Sequence, residues 1–182
     1  MPGGCPDGTI EAVNIRPAGL GDSMGIGLVH VRSWQAAYKG LVPQRYLDSL
    51  DPVQRGQVWA RHLSEGHQVG EAVLVAEADD EVVGFVSVGP SRDDDAKGQG
   101  EVWAIYLLPH FWGQGVGRAL MGAGSENLRG SGFTEATLWV LGKNERARRF
   151  YEAAGWAPDG AAKEDDSRGF SLTEVRYRRR LG

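Results

Sequence analysis

Ten residues, Pro109-His-Phe-Trp-Gly-Gln-Gly-Val-Gly-Arg118, carry the densest chemical signal in the chain. Gly113, Gly115 and Gly117 lie between an apolar run ending at Leu108 and a helix-spaced run from Gly115 to Arg129. A strand-to-helix turn of this kind aims unpaired backbone N–H groups at one point, and the helix dipole adds partial positive charge there. Glycines remove the side chains that would hold a phosphate away, so the spacing predicts an anion site built from main chain. A plainer reading stays open at this point, a glycine-rich turn that only lets helix and strand pack closely. Two common phosphate motifs are excluded. The third glycine of G-x-G-x-x-G would fall on Arg118 or Leu120, and G-x-x-x-x-G-K-[ST] is absent.

Other reactive residue types show no metal or nucleophile pattern. His30, His62, His67 and His110 lack ligand spacing, and H-E-x-x-H is absent. Asp93-Asp94-Asp95 has no following glutamate at EF-hand spacing and reads as a solvated loop. The single cysteine, Cys5, can form neither an internal disulfide nor a thiolate zinc site, which fits a reducing, cytoplasmic setting. Arg176, Arg178, Arg179 and Arg180 form a basic run, expected on an edge strand that charge guards against aggregation.

The elements that must position the turn follow from periodicity. Val13–Arg16 reads as a strand stopped by Pro17. Asp22 or Ser23 caps a helix running to Tyr38, Pro43 opens a short helix, and Asp51-Pro52 begins another through Leu63. Ala72–Glu77 and Val82–Val88 form a hairpin. Glu101–Leu108 is the strongest strand and Thr134–Leu141 the next; Asn144 caps a helix that Gly155 closes. Trp156–Pro158 and Leu172–Tyr177 read as late strands around a polar loop, 159–169. The 182 residues, 41% hydrophobic and 24% charged, suit a loose tail over 1–11 and one layered domain over 12–182. A net charge of −4 argues against nucleic acid as a partner. No apolar run approaches the roughly 20 residues of a membrane span, and no signal peptide is visible.

Glu101–Met121 and Leu138–Trp156, with Asn144, Phe150, Tyr151 and Gly155 in matching spacing, resemble the acetyl-CoA-binding core of the GNAT superfamily of N-acyltransferases. Gly169–Tyr177 resembles the family's final strand, and Trp34–Leu50 the first helices of a bacterial branch. The likeness covers roughly residues 12–181. It implies an α/β (α+β) fold: a mixed, mostly antiparallel central sheet with a splayed parallel strand pair, flanked by helices. It also implies transfer of an acetyl group from acetyl-CoA, as co-substrate and without a metal, to a primary amine of a small molecule or peptide in a ternary complex. A non-catalytic CoA-binding module of the same fold is the alternative. Dimers are common in the family.

The resemblance assigns roles residue by residue. Pantetheine would pair with the strand near Ile105, Tyr106 and Leu107. The pyrophosphate would sit on Gln114, Gly115, Val116, Gly117 and Arg118, where Arg118 adds charge or is simply a solvated helix-face arginine. Asn144 is a helix cap, a cofactor contact, or both. Tyr151 would protonate the departing thiolate, or pack as a core tyrosine. Glu101 would serve as base or stand exposed at a strand end, with Glu174 a second candidate. Trp34, Tyr38, Trp103 and Tyr106 would line an acceptor pocket, although Trp34 also suits the core. One departure stands out: the first position of the family's R/Q-x-x-G-x-G/A signature is Trp112, which leaves the backbone donors intact but removes a side chain.

Overall fold

Strands β1 (Asn14–Pro17), β2 (Ala72–Ala78), β3 (Glu81–Pro90), β4 (Gly100–Leu107), β5 (Glu135–Leu141), β6 (Ala157–Asp165) and β7 (Leu172–Arg180) form one sheet. Their spatial order is β1-β2-β3-β4-β5-β7-β6. Helices α1 (Ser23–Ala37), α2 (Gln44–Ser49), α3 (Pro52–Ser64), α4 (Val116–Gly130) and α5 (Glu145–Ala153) flank it. The coordinates are a computed structural model that describes residues 13–66 and 68–182. The expected tail over 1–11, with Cys5, lies outside the described residues, as does His67. Every neighbouring pair is antiparallel except β4 with β5. Among the described residues no helix is long and apolar enough to cross a membrane.

Strand β3 is buried from Val83 to Gly89 because both faces of the sheet are covered there. Phe85 packs with Ile26 and Val29 of α1, whereas Val86 and Val88 pack with Leu120, Met121 and Leu128 of α4. The β2–β3 hairpin closes through Asp79 and Asp80, both left-handed at φ 51° and 62°, as a two-residue turn matched to strand twist requires.

One irregularity shapes the site. Val88 pairs with Val102 and Ser87 with Ala104, so Trp103 is an extra residue on β4. Such a bulge bends its strand and sharpens the twist. Pairing of β4 with β5 is confined to Gly100↔Ala136, Glu101↔Thr137 and Val102↔Leu138, and stops at the bulge. Past that point β5 stays bound to β7 as far as Leu141, and β4 continues to Leu107 paired with β3 but not with β5.

The late chain differs from the sequence reading. Most of the expected loop 159–169 is strand β6, which is polar because it is an exposed edge; a bulge between Pro158 and Ala162, with Gly160 at φ +90°, disguises it. The basic run lies on β7, which is interior rather than an edge, between β5 and β6. Arg176 is buried and pairs with Asp159 at 2.8 Å, Asp95 at 2.7 Å and Asp93 at 3.1 Å. Two of the three aspartates expected in a solvated loop therefore neutralise a buried arginine, although Asp95 stays exposed on its outer side; Asp94, paired with Lys97, faces solvent fully.

Helix α1, which carries Ser33 and Trp34 to the site and ends at the cap residue Tyr38, crosses α3 with backbone nearly touching backbone. A Cβ on Gly27 would meet the Gly56 nitrogen at 2.4 Å and the Pro52 carbonyl oxygen at 2.7 Å. Neither obstacle is a side chain that can turn aside. Gly27→Ala is expected to cost about 1–3 kcal/mol, read as a fall in Tm of several degrees. Gly122→Ala in α4, where nothing lies within 4 Å of the added Cβ, is expected to be neutral or stabilising. Equal effects of the two substitutions would contradict this crossing.

Candidate active site

The gap between the parted strands is one wall of a cavity of about 310 Å³, lined among others by Ile105, Leu107, Gly115, Gly117, Asn144 and Tyr151. Tyr106 stands opposite Phe85 of β3, and the Leu108 N–H donates to the Val83 carbonyl at 2.9 Å. Alternation along a strand then turns the polar groups of Ile105 and Leu107 toward the open side. The Leu107 carbonyl is already occupied there, accepting from Ser33 Oγ at 2.9 Å and Trp112 Nε1 at 2.8 Å. The groups left for a ligand strand are the Leu107 N–H and both groups of Ile105.

The glycine turn lies at the end of this cavity. Gly113 and Gly115 are left-handed at φ +76° and +87°, and nothing lies within 4 Å of a Cβ built on either. Gly115 is the N-cap of α4 and supplies no capping side chain. Among the described residues no acceptor serves the N–H groups of Gln114 to Arg118; the first returned bond is Ala119 N–H to the Gly115 carbonyl at 3.0 Å. Gln114 Nε2 donates to the His110 carbonyl at 2.5 Å, which fixes the turn from behind. Close packing explains only Gly117, whose added Cβ would lie 3.4 Å from the Phe150 ring.

Two residues of α5 face the same space. Asn144 is buried, and its Oδ1 accepts from the Ala147 N–H at 3.1 Å, so it is a true helix cap that also lines the cavity. Tyr151 lines it with a hydroxyl that has no hydrogen-bond partner among the described residues. Tyr177 is the contrasting case: fully buried, it accepts from Arg148 Nε at 2.9 Å and donates to Glu152 Oε1 at 2.7 Å. Burial, with a smaller contribution from Tyr106, pushes the Tyr151 phenol well above its ordinary value. That phenol keeps its proton throughout the neutral range.

A second, polar cavity of about 260 Å³ adjoins the first, and the two share Tyr38, Tyr106 and Trp139. Trp34, Trp103, Glu101 and Glu174 line it too, so the structure brings together every residue read as acceptor-lining. Glu101 is not the exposed strand-end glutamate that was one of its readings. It is 1% exposed, and its carboxylate accepts from Arg92 at the backbone N (2.9 Å), Nε (3.2 Å) and Nη2 (2.5 Å). The nearest cation to Glu174 is looser, Lys163 Nζ at 3.6 Å. Trp34 is buried and still lines the cavity. Burial also raises the Tyr38 and Tyr106 phenols, and the two influence each other.

Several lining residues had no signal in the sequence. Lys163 lies 4.1 Å from the Trp139 ring centroid and Arg168 lies 5.2 Å from that of Trp34. Both come from the segment read as loop. Arg92 comes from the charged 89–100 loop and Arg146 from α5. Only contacts across the fold single these out from other charged residues.

His30 supports the floor beneath Tyr106, with ring centroids 4.9 Å apart, and its Nδ1 accepts from Trp59 Nε1 at 3.2 Å. Burial, aided by the charges of Arg55 and Arg168, lowers its pKa to about 3. The unfolded chain therefore binds one more proton than the native state between pH 3 and an unfolded value of about 6.5, and native stability rises with pH across that window. From pH 7 to pH 5 this residue alone is expected to remove about 2 kcal/mol. His30→Gln keeps an acceptor for Trp59 and should flatten that part of the profile in urea unfolding at the two pH values. An unchanged slope would contradict the account.

Comparison with known proteins follows the same lines. A sequence model described as "Acetyltransferase (GNAT) family" matches residues 31–156. The uncharacterized N-acetyltransferase YuaI of Bacillus subtilis is 36% identical over 165 residues, which cover 90% of each chain. Among solved structures, a GCN5-related N-acetyltransferase from Rhodopseudomonas palustris superposes with a TM-score of 0.72 at 18% identity, covering 94% of this chain and 98% of that one. A PaiA N-acetyltransferase from Thermoplasma acidophilum, solved in complex with coenzyme A, gives 0.67 at 20% identity, covering 93% and 99%. At these identities the two structures speak to fold alone.

Proposed function

The chain belongs to the GNAT acetyltransferase family and is an acyltransferase, and from that premise we propose that it moves an acetyl group from acetyl-CoA directly to a primary amine of a small molecule or peptide, with both bound at once. The observation that carries the proposal is the meeting of two unlike cavities at Tyr38, Tyr106 and Trp139. One has an open strand edge and a turn of unpaired amides, suited to an extended arm ending in a diphosphate. The other is lined by aromatic rings and by three carboxylates, Glu101, Asp165 and Glu174, beside the cations Arg92, Lys163 and Arg168; the rings and Glu174, whose nearest cation is 3.6 Å away, suit an amine.

Acetyl-CoA supplies the activated acyl group; the chain's own residues supply placement and protons. The amides of Gln114 to Arg118 hold the diphosphate, with Arg118 beside them, and Asn144 orients the pantetheine arm. The free groups of Ile105 and Leu107 align that arm as an added strand, and an N–H on this edge polarises the carbonyl. Holding both reactants in one register provides most of the acceleration. An amine with a pKa near 9–10 arrives protonated at neutral pH and must lose that proton before it attacks. Glu174 is the better placed acceptor, since the Glu101 oxygens are already engaged by Arg92. The Tyr151 hydroxyl, unpartnered and protonated, donates to the departing thiolate.

Saturating acetyl-CoA is expected to raise the Tm of the purified protein, by an amount equivalent to about 2.7 kcal/mol at a hundred times its Kd. Absence of any shift at millimolar ligand would count against the proposal. Tyr151→Phe should lower kcat by roughly a hundredfold or more across an amine panel, while the KM for acetyl-CoA changes little. An unchanged kcat on the best acceptor would remove Tyr151 from the acid role.

A further inference from the structure

The family signature begins with Arg or Gln, and this chain has Trp112 there, so a positive charge could be missing from the turn. The structure has one in its place. The Arg146 guanidinium carbon lies over the Trp112 ring, 3.2 Å from its centroid, a cation on an aromatic face. The indole is itself fixed, because its Nε1–H donates to the Leu107 carbonyl at 2.8 Å. Trp112 therefore ties the turn to the end of β4 and gives Arg146 a platform. Arg146 stands in the first turn of α5, two residues past the Asn144 cap, and lines the same cavity as Gly113, Gly115 and Gly117.

The charge on Arg146 is unbalanced. Arg148 and Arg149 on the same helix pair with Tyr177 and Glu145, and Arg176 and Arg178 pair with carboxylates. Among the described residues Arg146 has no carboxylate or hydrogen-bond partner. Burial lowers its pKa and no neighbouring acid opposes the shift. A planar cation held on a ring, with five donors unused and the amides of Gln114 to Arg118 also without acceptors, is completed by an oxyanion. From this we infer that Arg146, seated on Trp112, is a phosphate-binding residue that grips the coenzyme A diphosphate beside the glycine turn and replaces the cation absent from the signature position. The inference rests on the proposal that this cleft takes acetyl-CoA.

The test is calorimetric titration with CoA, dephospho-CoA and pantetheine, using the whole chain and its Arg146→Ala and Arg146→Lys variants. Arg146→Ala should weaken CoA and dephospho-CoA alike by about tenfold or more and leave pantetheine unchanged. Arg146→Lys should recover part of the loss, since it keeps the charge but not the stacked fork. Loss for CoA alone would move the contact to the 3′-phosphate and overturn the diphosphate assignment. Equal loss for all three ligands would mean that Arg146 only supports the turn, and no loss would mean that it takes no part; either result overturns the inference. Failure of the unmodified chain to bind CoA at millimolar concentration would instead overturn the acetyl-CoA proposal on which the inference stands.

Discussion

A single extra residue on a strand governs the geometry of this protein. With Trp103 inserted opposite β3, β4 bends, and beyond Val102 it is paired with β3 and no longer with β5. It stays with β3, because Phe85, Val86 and Val88 are locked between α1 and α4. The polar edge of β4 is then left unpaired inside the molecule, where unsatisfied backbone groups are costly unless something supplies partners. Part of that demand is met internally, by Ser33 and Trp112 on the Leu107 carbonyl. The remainder, the Leu107 N–H and both groups of Ile105, is the open edge on which the proposed pairing with an extended ligand rests.

The walls on either side are held by charge as much as by packing. Arg176, buried on β7, draws Asp93 and Asp95 of the 91–99 loop and Asp159 of β6 to one point. Asp93 also accepts from Trp139 Nε1 at 2.9 Å. Because Arg176 itself is buried in this cluster, loss of its inner partners, Asp93 and Asp159, is more costly than loss of an exposed pair. Through it the loop is anchored where Arg92 meets Glu101, so the polar cavity and the far edge of the sheet are mechanically one unit. The aromatic floor formed by His30, Trp34, Tyr38 and Tyr106 completes it from the α1 side.

The sequence made legible what depends on local periodicity and on backbone chemistry. The hairpin, the two central strands, α4 and α5 with its Asn144 cap follow from patterns a few residues long, and the glycine turn follows from spacing alone. The splay came only with the resemblance, since a bulge at Trp103 leaves no local mark; Trp is an ordinary strand residue. Strand β6 escaped because an exposed edge strand has no apolar face to alternate. Nothing in an arginine-rich run tells which member points inward, so the burial of Arg176 is not legible locally. Asp93 and Asp95 carry no local sign of their ion pair, because their partner lies more than eighty positions away. Tyr151 and Tyr177 look alike in sequence, and only the partnered hydroxyl of one and the free hydroxyl of the other separate them.

The most direct measurement is of the backbone amides themselves. In 15N-labelled protein titrated with CoA, the account predicts that the largest chemical-shift changes fall on Gln114 to Arg118, with a second group on Ile105 and Leu107 at the open edge of β4. Saturable shifts confined to other parts of the sheet, or none at either place under saturating ligand, would contradict it.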